Sequence, residues 1–179
     1  MIIFETDRLI VRRFTFADAG NFFKVNGDEN VVRYIRAALN KEDSDKFLQT
    51  TIEFYSTHPN LGRWAVTEKA TGNFVGSFAL IPLPFEDEKD RMQIGYALIP
   101  SAWGKGYATE LTARGKDFYF EHHPYDELHA ITSLPNFASQ KVLIKCGFRE
   151  NGMKDDKGET LQRFIMNRSM YNQSPDSIN

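Results

Sequence analysis

The segment Trp103-Gly104-Lys105-Gly106-Tyr107-Ala108-Thr109-Glu110 sets two glycines and an alanine where an alternating apolar run gives way to an amphipathic one. Gly tolerates positive φ and has no Cβ, so successive backbone N–H groups can converge on an anion at the start of a helix. A chain built around this segment needs a strand, a glycine loop and a helix in that order. The loop is either a phosphate cradle or only a tight turn that opens the helix. With 179 residues a single domain is expected, and fifteen Phe, seven Tyr and two Trp supply its core. A net charge of −2 and no basic run longer than Arg12-Arg13 argue against nucleic acid as a partner. One cysteine, Cys146, allows no internal disulfide. The start Met1-Ile2-Ile3-Phe4-Glu5 has no basic region leading into a long apolar stretch, and no window is apolar enough to span a bilayer. A cytoplasmic protein with no membrane partner is expected.

Periodicity orders the rest of the chain. Arg8 to Phe14 alternates as a strand, and Thr15 with Asp18 resembles a capping arrangement for a helix carrying Phe16, Ala19, Phe22 and Phe23. A short helical piece is expected through Val31, Val32 and Ile35, then a longer helix with Phe47, Leu48, Ile52 and Tyr55 on one face. Two strands follow, Arg63 to Glu68 and Phe74 to Ile81. The second is read as apolar on both faces, with Phe74, Phe78 and Leu80 on one side. A third strand runs from Met92 to Ile99 and stops at Pro100. After the glycine loop, Ala108, Leu111, Gly115, Phe118 and His122 fall on one helical face. Glu127 to Thr132 is strand-like, Asn136 caps a helix that Gly147 ends, and Phe148 begins a hairpin turning at Asp155-Asp156-Lys157-Gly158. The domain is expected to occupy residues 1–171, with 172–179 a polar C-terminal tail.

Two nucleotide loops fit poorly. The dinucleotide fingerprint Gly-x-Gly-x-x-Gly has Thr109 at its last glycine, and a Walker loop needs Ser or Thr after Gly-Lys, where this chain has Gly106. In contrast, the order of elements resembles the GNAT superfamily of acyl-CoA-dependent N-acyltransferases over nearly the whole chain. Glu5 to Arg13 looks like the opening strand of the branch that contains the ribosomal-protein alanine N-acetyltransferases, and Asp28 to Tyr34 looks like its second helix. Ile94-Gly95-Tyr96-Ala97-Leu98 followed by Trp103 to Ala108 resembles its cofactor core. Asn136, Ser139 and Lys145-Cys146-Gly147-Phe148 fall at the spacing of its second cofactor motif. Trp103 stands where the wider superfamily has Gln or Arg.

The resemblance implies an α/β (α+β) fold with a mixed, mostly antiparallel sheet of about seven strands, splayed in the middle and flanked by helices. It implies acetyl-CoA as co-substrate and no metal. Cofactor contacts would come from Tyr96, Ala97, Leu98 and Ile99 on the strand edge, from Trp103, Gly104, Lys105, Gly106, Tyr107, Ala108 and Thr109 around the pyrophosphate, and from Asn136 and Ser139. Ile131 to Ser133 form the facing edge. A backbone N–H near Ala97 or Leu98 could face the thioester carbonyl. The superfamily's catalytic Tyr position is Leu143 here, so Ser139 is the candidate acid or sulfur hydrogen-bonder; its alternative role is packing. Asn136 either bonds the pantetheine arm or only caps its helix. Gln93 stands where the branch often has a basic Glu, and Gln cannot accept a proton. Its loss would hinder Lys acetylation more than α-amine acetylation, because an α-amine with pKa about 7.8 is partly neutral near pH 7 and Lys at about 10.4 is not.

Other groups have ordinary readings. Glu110 suits the first turn of a helix, and Glu86, Asp87, Glu88 and Asp90 suit a solvated loop, although they could attract a cationic acceptor. His122 and His123 suit a helix C-terminus, His129 a structural strand position, Cys146 a packed site, and Tyr96 and Tyr107 core or pocket wall. The expected activity is transfer of an acetyl group to a primary amine, with a protein or peptide N-terminal α-amine as one acceptor. A small-molecule amine such as a polyamine, amino acid or aminoglycoside is the alternative, and a non-catalytic acyl-CoA-binding regulator is the competitor from another class. A monomer or homodimer is expected.

Overall fold

Eight strands and six α-helices form among the residues described by the computed structural model, which are 1–173. In chain order they are β1 (Ile2–Glu5), β2 (Leu9–Arg13), α1 (Ala19–Asn26), α2 (Glu29–Val32), α3 (Lys41–Phe54), β3 (Gly62–Glu68), β4 (Phe74–Pro82), β5 (Met92–Leu98), α4 (Tyr107–His122), β6 (Glu127–Ser133), α5 (Phe137–Lys145), β7 (Arg149–Asp156), β8 (Glu159–Asn167) and α6 (Arg168–Asn172). They make one sheet in the order β1-β2-β3-β4-β5-β6-β8-β7. Every neighbouring pair is antiparallel except β5 and β6, which α4 joins as a parallel crossover. The mixed, mostly antiparallel sheet is the expected one.

The strand added to the expected seven is β1. Its β-branched and aromatic run Ile2-Ile3-Phe4 returns through a turn in which the Leu9 N–H donates to Thr6 Oγ1 at 2.9 Å. Phe4 is then buried edge-to-face on Phe78, with ring centres 5.3 Å apart. The last strand ends at Asn167, whose side chain accepts from Met170 N and caps α6. Of the expected tail, Asn172 closes α6; residues 174–179 lie outside the described residues.

Helices cover both faces. On one, α1 and α3 enclose Phe14, Phe22, Leu48 and Ala65. On the other, α4 and α5 bring Leu111, Phe118, Leu143 and Cys146 onto Phe78, Leu80, Leu128 and Phe164. Phe74 does not share the Phe78 face as the alternation predicts. Val66 pairs with Gly76 and Thr67 with Phe74, so Val75 is an extra residue and the side-chain parity reverses. Phe74 therefore packs near Phe14 on the α1 and α3 face, while Val75 joins the Phe78 core.

Gly76 makes this bulge possible. Its φ is +152°, and a Cβ there would meet the Ala97 carbonyl oxygen at 2.3 Å and Leu98 Cα at 2.8 Å. The β4 backbone thus presses directly on the end of β5. Gly76→Ala should lower stability by about 2 kcal/mol or more through overpacking, measured by urea or thermal denaturation; a loss below about 0.5 kcal/mol would show that this contact is not tight.

Candidate active site

The divergence of β5 from β6 builds the site. These strands share one paired position, Gln93 with His129, and no further register beyond it. The β4–β5 ladder keeps a constant register, and its flanking bonds run from Ile99 N–H to Val75 C=O at 3.0 Å and from Leu83 N–H to Arg91 C=O at 2.8 Å. In an antiparallel ladder the bonding side alternates. Odd residues of β5 therefore turn their N–H and C=O to β4, while Ile94, Tyr96 and Leu98 turn theirs toward β6. Of the two candidate amides, Ala97 belongs to the β4 ladder and Leu98 faces the opening. The Trp103 indole Nε1–H donates to the Leu98 carbonyl at 2.7 Å, which ties the glycine loop to the strand end.

The glycine loop has the conformation its sequence requires. Gly104 and Gly106 have φ of +73° and +81°, and Gly106 is the left-handed N-cap of the sixteen-residue α4. A Cβ on Gly104 would meet nothing within 4 Å. Backbone conformation, not crowding, selects these glycines. The first helical N–H groups of α4 receive no side-chain cap from Gly106, an arrangement suited to an anion. Lys105 is drawn to the side of this cradle, with Nζ 3.6 Å from Glu68 Oε1. Tyr107 is buried and its hydroxyl donates to Glu68, so it can serve a phosphate through its backbone N–H.

Glu110 is a structural staple. It accepts from the Arg8 N–H at 3.0 Å, from Arg8 Nε at 2.7 Å and from Thr6 Oγ1 at 2.5 Å, fixing the β1–β2 turn to the start of α4. Burial opposes its ionisation, but these hydrogen bonds and the Arg8 charge outweigh it and hold the carboxyl below its ordinary pKa.

Side chains of even β5 residues project toward α5. There the Tyr96 hydroxyl donates to Ser139 Oγ at 3.1 Å. Burial raises the Tyr96 phenol above its ordinary pKa, against the opposing bond to Ser139, so it keeps its proton through the neutral range. The sequence marks Tyr96 as a cofactor contact and as core or pocket wall, not as a partner of Ser139. The available signal was the shared face: Tyr96 lies two residues from Leu98, and Ser139 lies in the first turns of the facing helix. Asn136 caps α5 by accepting from Ser139 N at 3.3 Å, which also fixes the Ser139 backbone.

Odd β5 side chains project to the α1–α3 face. Gln93 Nε2–H donates to Pro82 C=O at 3.2 Å, leaving its oxygen as an acceptor, and a Cβ on Gly95 would meet nothing within 4 Å. His129, 1% exposed, contacts Glu127 through Nε2 at 3.1 Å; its buried Nδ1 has no partner. Burial lowers its pKa, so the ring is neutral. A separate open cleft of about 620 Å³ between α1–α2 and the end of β5 is lined by Phe23, Asp28, Glu29, Ile99 and Ser101, among others.

The acidic β4–β5 loop is not free, as a solvated loop would be. Glu88 is buried and bonds Arg163 and Lys154, each at 2.6 Å, and Arg91 at 3.1 Å, while Asp87 binds Lys154 at 2.8 Å. Burial alone would raise the Glu88 carboxyl, but Lys154 and Arg163 hold it below its ordinary range. This network joins the β4–β5 loop to β7 and β8 at the closed end of the opening. Among the described residues no group of three His, Cys, Asp or Glu could hold a metal ion, and no helix is long and apolar enough to cross a membrane.

A strand pair opened past one bridge, with an uncapped glycine-led helix at its mouth, fits a phosphopantetheine chain. Comparison with known proteins agrees: the pattern of the family described as Acetyltransferase (GNAT) domain matches residues 8–149. The chain belongs to the GNAT acetyltransferase family. It is an acyl-CoA-dependent acetyltransferase. It is 29% identical over 153 residues to an uncharacterized N-acetyltransferase, YoaA, of Bacillus subtilis, covering 84% of this chain and 85% of that protein. Its fold is similar to that of the RimL ribosomal L7/L12 α-N-protein acetyltransferase in complex with coenzyme A (TM-score 0.77, 14% identity, 93% of this chain and 98% of that one). It is also similar to the spermidine N-acetyltransferase of Vibrio cholerae in complex with CoA and spermine (TM-score 0.71, 20% identity, 91% and 97%).

Gly106→Val in this GNAT domain places a β-branched residue at φ +81°, which the loop must shift to accommodate, with its Cβ 3.5 Å from the Arg8 guanidinium. Coenzyme A affinity in calorimetry should fall about 10-fold or more, from about 1–2 kcal/mol of backbone strain and the lost approach to the anion. Unchanged affinity in a folded variant would remove the loop from the binding site.

Proposed function

We propose that the chain transfers the acetyl group of acetyl-CoA to an α-amine, by direct attack of the amine with both substrates bound. Relatives of this fold include a ribosomal-protein and a spermidine acetyltransferase by name, so family membership leaves the acceptor open. The observation that carries the reading is Gln93. It holds the position on β5 where a base would stand, and its amide accepts a hydrogen bond without accepting a proton. Such a site favours an amine that is already partly neutral. A peptide α-amine with pKa about 7.8 meets that requirement far better than Lys at about 10.4.

Bound acetyl-CoA supplies the activated acyl group, and the residues of this chain do the rest. The first N–H groups of α4, with the Gly104 to Thr109 loop, hold the pyrophosphate. Tyr96 and Ile131 offer backbone groups to the pantetheine amides as a neighbouring strand would. The Leu98 N–H donates to the thioester oxygen as negative charge develops on it, a donation that is worth most where water is excluded. Ser139 gives a proton to the departing sulfur and takes one from Tyr96, which recovers a proton from solvent once the products leave. The acceptor amine enters from the α1–α3 face, over Gly95, and loses its proton to water held by the Gln93 oxygen. The C–S bond breaks as the C–N bond forms, and the proton leaving nitrogen balances the one gained by sulfur.

Ser139→Ala should lower kcat about 100-fold, the low end of what a positioned acid contributes, with the KM for acetyl-CoA nearly unchanged. Tyr96→Phe should have a smaller effect in the same direction. Because a peptide α-amine must be neutral to attack, kcat/KM for the acceptor should rise with pH to a plateau above about 8. Wild-type turnover in both variants, measured by thiol release, would remove the hydroxyl pair from the mechanism.

A further inference from the structure

Two guanidinium groups without an acid partner stand beside the acceptor face. Arg63 on β3 lies in one cross-strand row with Ala79 on β4 and Gly95 on β5. Its guanidinium is 5.4 Å from the centre of the Phe47 ring on α3, and that of Arg36, in the segment after α2, is 4.9 Å from the same centre. Arg36 donates to Asn26 Oδ1, while its Nε is buried without a partner. Six other arginines, Arg8, Arg12, Arg91, Arg114, Arg163 and Arg168, each stand within salt-bridge distance of a carboxylate. Among the described residues, no salt bridge reaches Arg36 or Arg63.

The segment that carries Arg36 also passes over the opening, since Ser133 Oγ–H on β6 donates to the Tyr34 carbonyl at 3.4 Å. Below it the floor is small and neutral: Ala79, then Gly95 with open space where a Cβ would lie. Two strand spacings separate Gly95 from Arg63, about 10 Å, which an Arg side chain and a small amine-bearing acid span together. Two like charges against one ring disfavour each other, and a carboxylate that reached both would be gripped by fork geometry and opposite charge. Burial, with the charge of Arg36 nearby, lowers the Arg63 guanidinium to about 10, so it stays protonated at neutral pH.

We propose that Arg36 and Arg63 bind a carboxylate carried by the acceptor, which makes the acceptor an amine-bearing acid and not a polyamine. The inference rests on the reading of the α1–α3 face as the acceptor side. Its source is an amino acid's own carboxylate or an acidic side chain near a peptide N-terminus, two cases with the same chemistry.

The test is steady-state turnover at saturating acetyl-CoA with matched acceptors: amino acids against their carboxamides, and peptides with Glu against Gln at the second position. The amino-acid pairs respond if the free carboxylate is the ligand, the peptide pairs if it is the side chain. In at least one series the acid should have a kcat/KM about 10-fold or more above its amide, as expected for a hydrogen-bonded charge. Arg63→Gln and Arg36→Gln should each reduce that preference and leave turnover of the amide and the KM for acetyl-CoA nearly unchanged. Arg63→Lys should restore part of it. Acetyl-CoA affinity in calorimetry confirms that each variant is folded, and Arg36→Gln, outside the sheet, gives an independent reading if Arg63→Gln is unstable. Equal turnover of acid and amide in both series, a preference that survives the double variant, or spermidine turned over better than every acid would overturn the proposal. Gly95→Leu separates the two layers. If it raises the acceptor KM about 10-fold while no acid preference exists, the acceptor side stands and the carboxylate site falls. If it leaves the acceptor KM unchanged, the acceptor side itself is wrong.

Discussion

The site depends on the separation of β5 from β6. Parallel strands joined through α4 would ordinarily continue their ladder, yet after Gln93 and His129 the pairing stops. Unpaired backbone polar groups are costly once water is excluded, on the order of 1–3 kcal/mol each. The strands therefore need a reason to stay apart and something to pair with. At the closed end Glu88, gripped by Arg163, Lys154 and Arg91, locks the β4–β5 loop to β7 and β8. Beyond the sheet, the Lys116 ammonium on α4 donates to the Cys146 carbonyl after α5 at 3.2 Å. The two half-sheets are thus held at their edges and left open between.

Strand parity then divides the chemistry. Even β5 residues direct their backbone into the opening and their side chains to α5, where Tyr96 meets Ser139. Odd residues give their backbone to β4 and their side chains to the α1–α3 face, where Gln93 and Gly95 lie. A thioester threaded through the opening would meet a proton donor on one face and an amine on the other. Gly76 matters because it lets β4 approach Ala97 and Leu98 closely enough to fix the amide at the crossing point.

Much of this was legible in the sequence, for physical reasons specific to each part. Positive-φ glycines before an amphipathic run specify the cradle, and both have the expected conformation. The 3.6-residue and 2-residue periods find the helices and most strands. The position of Phe74 was not legible, since a bulge at Val75 shifts side-chain parity without altering the apolar pattern. Nor was β1, four residues at the chain start with no flanking pattern of its own. The Glu88 cluster reads as a solvated acidic run until β7 and β8 supply Lys154 and Arg163 from more than sixty residues away. The same limit applies to Arg36 and Arg63, which meet only through the Phe47 ring, and sequence spacing holds no trace of that.

The direct test of an opening that a pantetheine chain fills is amide hydrogen exchange, residue by residue, with and without acetyl-CoA. The amides of Tyr96, Leu98 and Ile131 should exchange readily in the free protein and become protected on binding. Those of Gly95 and Ala97, already in the β4 ladder, should change little. Equal protection of even and odd β5 amides in the free protein would mean that β5 and β6 are not open as described here.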